Sequence, residues 1–257
     1  MEVLSFDIEG KFAHFRKYFA NNTAFTFAIP PRTTIMGIIA AAMGLKKESY
    51  YKEFNSDNLK LGVAILSPVK KTFHRLNFLM IKNDSDFRGK QQHIQTPFEV
   101  VSGIDHRNDM VKYRIFVAPS KTGNEVFEKI KNVFLHSKFI YNPTLGTANF
   151  TASISNVIIW NNVNVIHMQD EKVVLNSTGI SDNISEISFE KNDDFRFNMI
   201  EEELLPADFK SNKDREVVKM NRVLFTTGGQ SLSVRLSGDV YILNDSKGNK
   251  QTIQFLE

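Results

Sequence analysis

Residues 3 to 9 alternate, with Leu4, Phe6 and Ile8 on one side and Val3, Ser5, Asp7 and Glu9 on the other, and this period of two predicts a half-buried strand ended by Gly10. The prolines at 30 and 31 close the extended stretch that follows. Thr33 then stands where an N-cap is wanted, and Ile35, Ile38, Ile39, Ala42 and Met43 recur at helical spacing up to Gly44, a C-terminal stop. Leu61–Leu66 and Thr72–Ile81 read as extended on either side of Pro68, with Phe73, Leu76, Phe78 and Met80 expected to be buried. The polar run 82–96 (KNDSDFRGKQQHIQT) carries no core pattern and predicts an exposed hairpin or loop. Strand character resumes at Phe98–Val101 and at Val111–Val117, where Val111, Tyr113, Ile115 and Val117 share a side. Val126, Phe127, Ile130, Val133 and Phe134 predict a helix from Asn124 to His136, and Phe150–Trp160 is again a strand.

The order strand, helix, strand, strand, helix, strand is the ferredoxin-like βαββαβ unit, shared with RRM-like folds, and places an α+β domain at residues 1–160. Beyond it, Val163–Met168, Lys172–Leu175, Val217–Thr226, Leu232–Leu236, Val240–Leu243 and Gln251–Phe255 predict short strands, hence a small β-rich domain at 161–257. Ser181–Lys213 is charged and is expected to be a mobile connection. Gly228-Gly229 lies between two strands and lacks the Lys-Ser/Thr of a phosphate loop, so it reads as a hairpin turn.

Composition narrows the chemistry. Among 257 residues there is no cysteine, which excludes disulfides and thiolate zinc sites and suits a reducing cytoplasm. The longest apolar stretch, Thr34–Leu45, contains two glycines and is far shorter than the ~20 residues of a membrane span, and Glu2, Asp7 and Glu9 spoil a signal-peptide pattern. A soluble cytoplasmic protein without a membrane partner is expected. The net charge of +3 hides an asymmetry: residues 1–150 hold 21 Lys/Arg against 13 Asp/Glu, whereas residues 151–257 hold 11 against 16. An anionic partner for the first part, nucleic acid above all, competes with the plainer reading of a solubilising basic surface. The six histidines show no metal-binding spacing, no carboxylate pair stands out, and no cofactor is expected.

Four segments together carry a resemblance: Phe6–Lys17 (FDIEGKFAHFRK), Pro30–Gly44 (PPRTTIMGIIAAAMG), His93–Glu99 (HIQTPFE) and Asn142–Ala152 (NPTLGTANFTA). In this order they resemble the Cas-five family of CRISPR-associated RAMP proteins, over roughly residues 3–160 and more loosely around Glu203–Pro206 and Arg215–Phe225. The pattern is most similar to the I-B branch. The resemblance implies a subunit of a type I surveillance complex in antiviral defence, whose ferredoxin-like palm and protruding β-hairpin thumb grip the 5′ handle of the guide RNA while it docks on a backbone subunit and the large subunit.

On that reading Arg16, Lys17 and Arg32, beside the first strand and the first helix's N-terminus, are candidate phosphate contacts; otherwise they are a solvated basic loop. The 82–96 segment, with Phe87, Arg88, Lys90 and His93, is the thumb candidate, an aromatic among cations being the mixture that holds single-stranded RNA; otherwise it is a polar hairpin tip. Arg75, with Lys70, Lys71 and Arg107, extends the basic surface. His14 sits between apolar residues and is expected to be a structural hydrogen-bonder. The I-C branch of the family is implied to be a metal-independent endoribonuclease, and Lys90, His93 and Tyr113 supply acid–base types for such chemistry, but the adjacent Lys-His pair of that branch is absent. A non-catalytic role is therefore expected, with endoribonuclease as the alternative and an incidental basic face as the third.

Overall fold

A computed structural model describes residues 1–20, 23–89, 92–188, 199–210, 215–245, 248 and 250–257. In chain order the first part holds β1 (Val3–Gly10), β2 (Phe12–Ala13), β3 (Phe15–Arg16), β4 (Thr26–Phe27), α1 (Arg32–Ala42), β5 (Leu59–Ile65), β6 (Val69–Leu79), β7 (His93–Gly103), β8 (Val111–Pro119), α2 (Asn124–Leu135) and β9 (Ala152–Trp160). The remainder holds β10 (Asn162–Leu175), β11 (Gly179–Ile180), β12 (Ile184–Ile187), β13 (Ile200–Phe209), β14 (Val217–Thr226), β15 (Leu232–Asn244) and β16 (Lys250–Ile253). The protein is α+β and rich in sheet.

The central sheet is antiparallel, in the order β5-β8-β1-β9. Leu4, Phe6 and Ile8 of β1 enter the main core with Val111, Tyr113, Ile115 and Val117 of β8 and the apolar faces of α1 and α2. The sequence predicts a half-buried β1, yet its other side is covered as well. Val3 packs with Phe116, Trp160, Tyr241, Leu243, Ile253 and Phe255 in a second core beneath β15 and β16. The polar residues on that side are buried because each is partnered. Trp160 Nε1 donates to Ser5 Oγ at 2.8 Å, and Asp7 receives Arg114 Nε at 2.7 Å and Asn156 Nδ2 at 2.8 Å.

Helix α1 starts two residues earlier than the Thr33 cap predicts: Pro31 occupies the N-cap, with no side-chain cap. Gly44 has φ +73°, the left-handed conformation suited to a stop after a helix. The same core continues across residue 160, since Ile180, Leu205, Val223, Phe225 and Leu256 belong to it.

In the C-terminal part the two strands expected at 163–168 and 172–175 are one, β10, bulged between Met168 and Glu171 with Asp170 at φ +56°. Likewise β15 runs through Gly238, at φ +111°, and fuses the strands expected at 232–236 and 240–243. The turn after β14 contains Gly229 at φ +72°, but the expected hairpin is not formed: β14 pairs with β11 and β13 and β15 with β10, β12 and β16, so the turn carries the chain from one sheet to another. Much of Ser181–Lys213, expected to be mobile, is instead regular: β12 pairs with β15, and β13 pairs with β14. Charge misleads there because Glu203 and Asp208 point inward to cationic partners.

Strands β6 and β7 pair without interruption from Val69↔Gly103 to Leu79↔His93. Beyond Thr72 the β6 side chains are exposed on both faces through Leu79, so the hairpin stands off the body. Phe73, Leu76 and Phe78, expected in the core, are therefore exposed, and Met80 is half-buried. The tip is ordered by a single 3-10 turn, Asp84–Arg88, in which the buried Asp86 carboxylate accepts the Lys82 and Asn83 amides at 2.7 and 3.1 Å.

Candidate nucleic-acid interface

A groove of about 950 Å³ opens where the foot of the β6–β7 hairpin meets the start of α1. Segments far apart in sequence build it. His14 and Arg16 come from the arm after β1; Pro31, Thr33 and Thr34 from the start of α1; Phe98 from β7; Pro143, Thr144, Gly146 and Thr147 from the loop before β9. These are the four segments singled out in the sequence, and the contacts between them are specific. The His14 amide donates to Leu145 O at 2.9 Å, the His14 ring stacks on Phe98 with centroids 4.1 Å apart, and His14 Nδ1 lies 2.7 Å from Glu99 O. Gly146 is required at φ +98°, and a Cβ there would lie 1.9 Å from His14 O.

Burial lowers the His14 pKa, so the ring is neutral and structural, as its apolar neighbours in sequence predict. Tyr50, Tyr51, Phe209 and Arg215 close the far side. Among the described residues lining the groove, none is a carboxylate. The cations there are Arg16 and Arg215, both exposed.

A family model described as CRISPR-associated protein (Cas_Cas5) matches residues 3–196, which include all four of these segments. The chain belongs to this CRISPR-associated Cas5 family. No curated protein matches the sequence. Among solved structures, a CRISPR protein from Archaeoglobus fulgidus is similar over 99% of this chain and 100% of its own, with TM-score 0.57 at 13% identity, which is a likeness of fold. A chain of a CRISPR RNA-guided surveillance complex aligns over 91% of each chain at 14% identity, with TM-score 0.45.

In this Cas5-family chain the basic candidates fall into distinct environments. Arg16 is at the groove, where Nη2 donates to Ala20 O at 3.1 Å and leaves most of the guanidinium to solvent. Lys17 is largely committed: its ammonium is 3.0 Å from Glu203 Oε1 and 5.0 Å from the centre of the Phe27 ring. Lys71 meets the same Glu203 at 3.2 Å and Glu201 at 3.4 Å. Burial alone would lower the Lys71 pKa, but the two carboxylates outweigh it and hold the ammonium above its ordinary value.

Arg32 corrects the expectation of a phosphate contact at the helix start. It is 1% exposed, and its guanidinium binds Asp208 at 2.6 Å, Leu59 O at 2.6 Å and Phe54 O at 3.0 Å, so an RNA backbone has no access to it.

Arg75, Phe87, Arg88 and His93 are exposed on the hairpin, Phe87 at 69%. Lys90 lies outside the described residues. The acid–base types named for RNA cleavage are not gathered: Tyr113 is fully buried in the core, its hydroxyl donating to Ala28 O at 2.6 Å, whereas His93 is exposed at the outer end of β7. Among the described residues no group of three or more His, Asp or Glu side chains is placed to hold a metal ion.

Sequence reasoning missed Tyr18, Tyr50, Tyr51 and Arg215, which line the groove, and the exposed apolar residues of the hairpin, Leu76, Phe78 and Ile94. The hairpin could have been suspected from its length. Its two eleven-residue strands carry apolar residues on both faces, next to a polar turn sequence.

Proposed function

We propose that this protein is a non-catalytic guide-RNA-binding subunit of a type I CRISPR surveillance complex, seating the 5′ handle of the guide in the groove and against the β6–β7 hairpin. The observation that carries the reading is the convergence of the four family segments on one groove that is free of carboxylates along its described lining and bears an exposed arginine at each side. Such a surface suits a polyanion with planar bases: arginine supplies charge-assisted bonds to phosphate, and aromatic rings accept stacked bases without regard to sequence. Membership of the Cas5 family supports the CRISPR setting. Docking on a backbone subunit and on the large subunit belongs to the same proposal.

In this reading the β5-β8-β1-β9 sheet with α1 and α2 is a ferredoxin-like palm. Its strand and helix order, βαββαβ, and its antiparallel pairing support that assignment. The hairpin is the thumb, and the acidic C-terminal part, apart from the face around Arg215 that lines the groove, is left for protein contacts. The chain would act in the cytoplasm; among the described residues no helix is long and apolar enough to cross a membrane.

Purified protein incubated in EDTA with the repeat RNA of its own locus, resolved on one gel across a salt series, tests this directly. Tight, salt-sensitive binding of intact RNA is expected. A discrete metal-independent cut in the repeat would replace the proposal with a processing endoribonuclease, and absence of binding at moderate salt would remove the RNA role.

A further inference from the structure

At the side of the groove away from the hairpin, Arg215 lines the cavity while its Nε donates to Glu48 Oε1 at 3.2 Å. Glu48 itself is not among the groove's lining residues. Both partners have left-handed backbone, φ +51° for Arg215 and φ +68° for Glu48, a conformation that costs a non-glycine residue free energy and persists where surrounding structure holds it. Beneath them lie Tyr50 and Tyr51, their rings 5.0 Å apart and edge to face. Gly37 keeps α1 flat at this point, since a Cβ there would approach the Tyr50 hydroxyl to 3.3 Å. Burial pushes Tyr50 up to about 12 and raises Tyr51 as well, so both phenols remain neutral and able to donate.

Arg215 is half-exposed at the groove, and besides a hydrogen bond with the Tyr51 hydroxyl it is held by one partly exposed carboxylate, a pairing that contributes little in such a setting. We propose that this side of the groove is a nucleotide subsite in which Arg215 exchanges its pairing with Glu48 for a phosphate of single-stranded RNA, with the ribose and base lying against Tyr50, which the buried Tyr51 holds in place. Glu48 then competes with the ligand for the guanidinium and sets the affinity of the subsite. The chemistry favours RNA over an acidic peptide because Tyr50 and Thr34, both partly exposed in the groove, present a ring and a hydroxyl group to match a base and sugar. This inference rests on the guide-RNA reading, and it adds a ligand, Arg215, that the basic N-terminal surface does not contain.

The test measures binding of the locus's own repeat RNA to the full chain, comparing wild type with Arg215→Gln and Glu48→Gln over a salt series. Arg215→Gln is expected to weaken binding about tenfold and to reduce the slope of log K against log salt by about 0.7, the value for one phosphate contact on a single strand. Glu48→Gln is expected to tighten binding several-fold, and it keeps the experiment decisive even if the arginine variant folds poorly. Wild-type binding with both variants unchanged would overturn the subsite and leave the guide-RNA reading intact. Failure of the wild type to bind would overturn both.

Discussion

Arg32 and Asp208 lie 2.6 Å apart with both side chains almost completely shielded from water, joining the first turn of α1 to the end of β13, 176 residues away in sequence. The arginine also donates to the carbonyls of Phe54, Leu59 and Ala207, while its Nε makes no hydrogen bond and faces Glu257 Oε1 at 3.6 Å, and Asp208 also accepts the Ser56 hydroxyl at 2.6 Å. A buried pair of this kind is costly to leave half-made, because the surviving charge has no water to turn to. Arg32→Met and Asp208→Asn should each destabilise the protein by about 3–5 kcal/mol, read as a lower midpoint in urea. RNA affinity per folded molecule should stay near wild type for both. A selective loss of binding at full stability in Arg32→Met would return Arg32 to the RNA surface.

Glu257 makes the stability of the fold depend on pH. Burial raises its pKa to about 7 even though Arg32 Nε, 3.6 Å away, and the Leu61 amide, donating at 2.9 Å, both favour the carboxylate. The folded value exceeds the unfolded one, so the group's stabilising contribution is complete below about 4.5 and is lost as pH rises through 7. Glu257→Gln, which cannot ionise, should therefore gain on wild type between those values and be more stable by roughly 1–3 kcal/mol at pH 8, with little difference at pH 4. Denaturation midpoints of the two proteins across this range check it. Parallel curves would show that Glu257 titrates normally.

What could be read in the sequence follows from what each signal measures. Periodicity reports the spacing of apolar residues, so β8, β9, α2 and the face of α1 were placed within a residue or two. It does not report what lies opposite a strand: the polar side of β1 is buried because Trp160, Arg114 and Asn156 satisfy it. The same blindness works in reverse on the hairpin, where Phe73 and Phe78 read as core and are exposed. Charge was informative as an average and misleading residue by residue. Arg16 and Arg32 look alike in sequence, yet one is at the groove and the other is sealed inside by Asp208, a residue of the segment expected to be a mobile connection. Arg215 was out of reach, since only the tertiary fold brings the start of β14 to Tyr50 and Tyr51.

Gly146 tests whether the groove's geometry depends on the loop before β9. Any side chain at this position meets His14 O and must also adopt φ +98°. Gly146→Ala should destabilise by about 2 kcal/mol or more, from left-handed strain plus the displaced His14–Leu145 contact. Because the loop forms one wall, binding should fall even below the melting range. The check is hydrogen exchange at the His14 amide, which donates to Leu145 O in the wild type and should lose protection first.

Phe87 separates a base-stacking tip from a bystander. Its ring is 69% exposed, so Phe87→Ala has almost no packing to lose and stability should change by less than about 0.5 kcal/mol. If a base of the handle stacks on it, affinity should fall by about 1–3 kcal/mol, roughly fivefold to a hundredfold. Phe87→Tyr should restore most of the binding, because a phenol ring offers the same face, whereas Phe87→Leu should not. Stacking also predicts that the loss is nearly independent of salt, since no phosphate contact is removed. Arg88→Gln, one residue away on the same exposed turn, should show the opposite signature, with a modest loss at low salt that vanishes as salt rises. Titrations of the two variants at two salt concentrations therefore distinguish ring from charge at the tip, and equal, salt-sensitive losses in both would show that the tip contributes only its positive field.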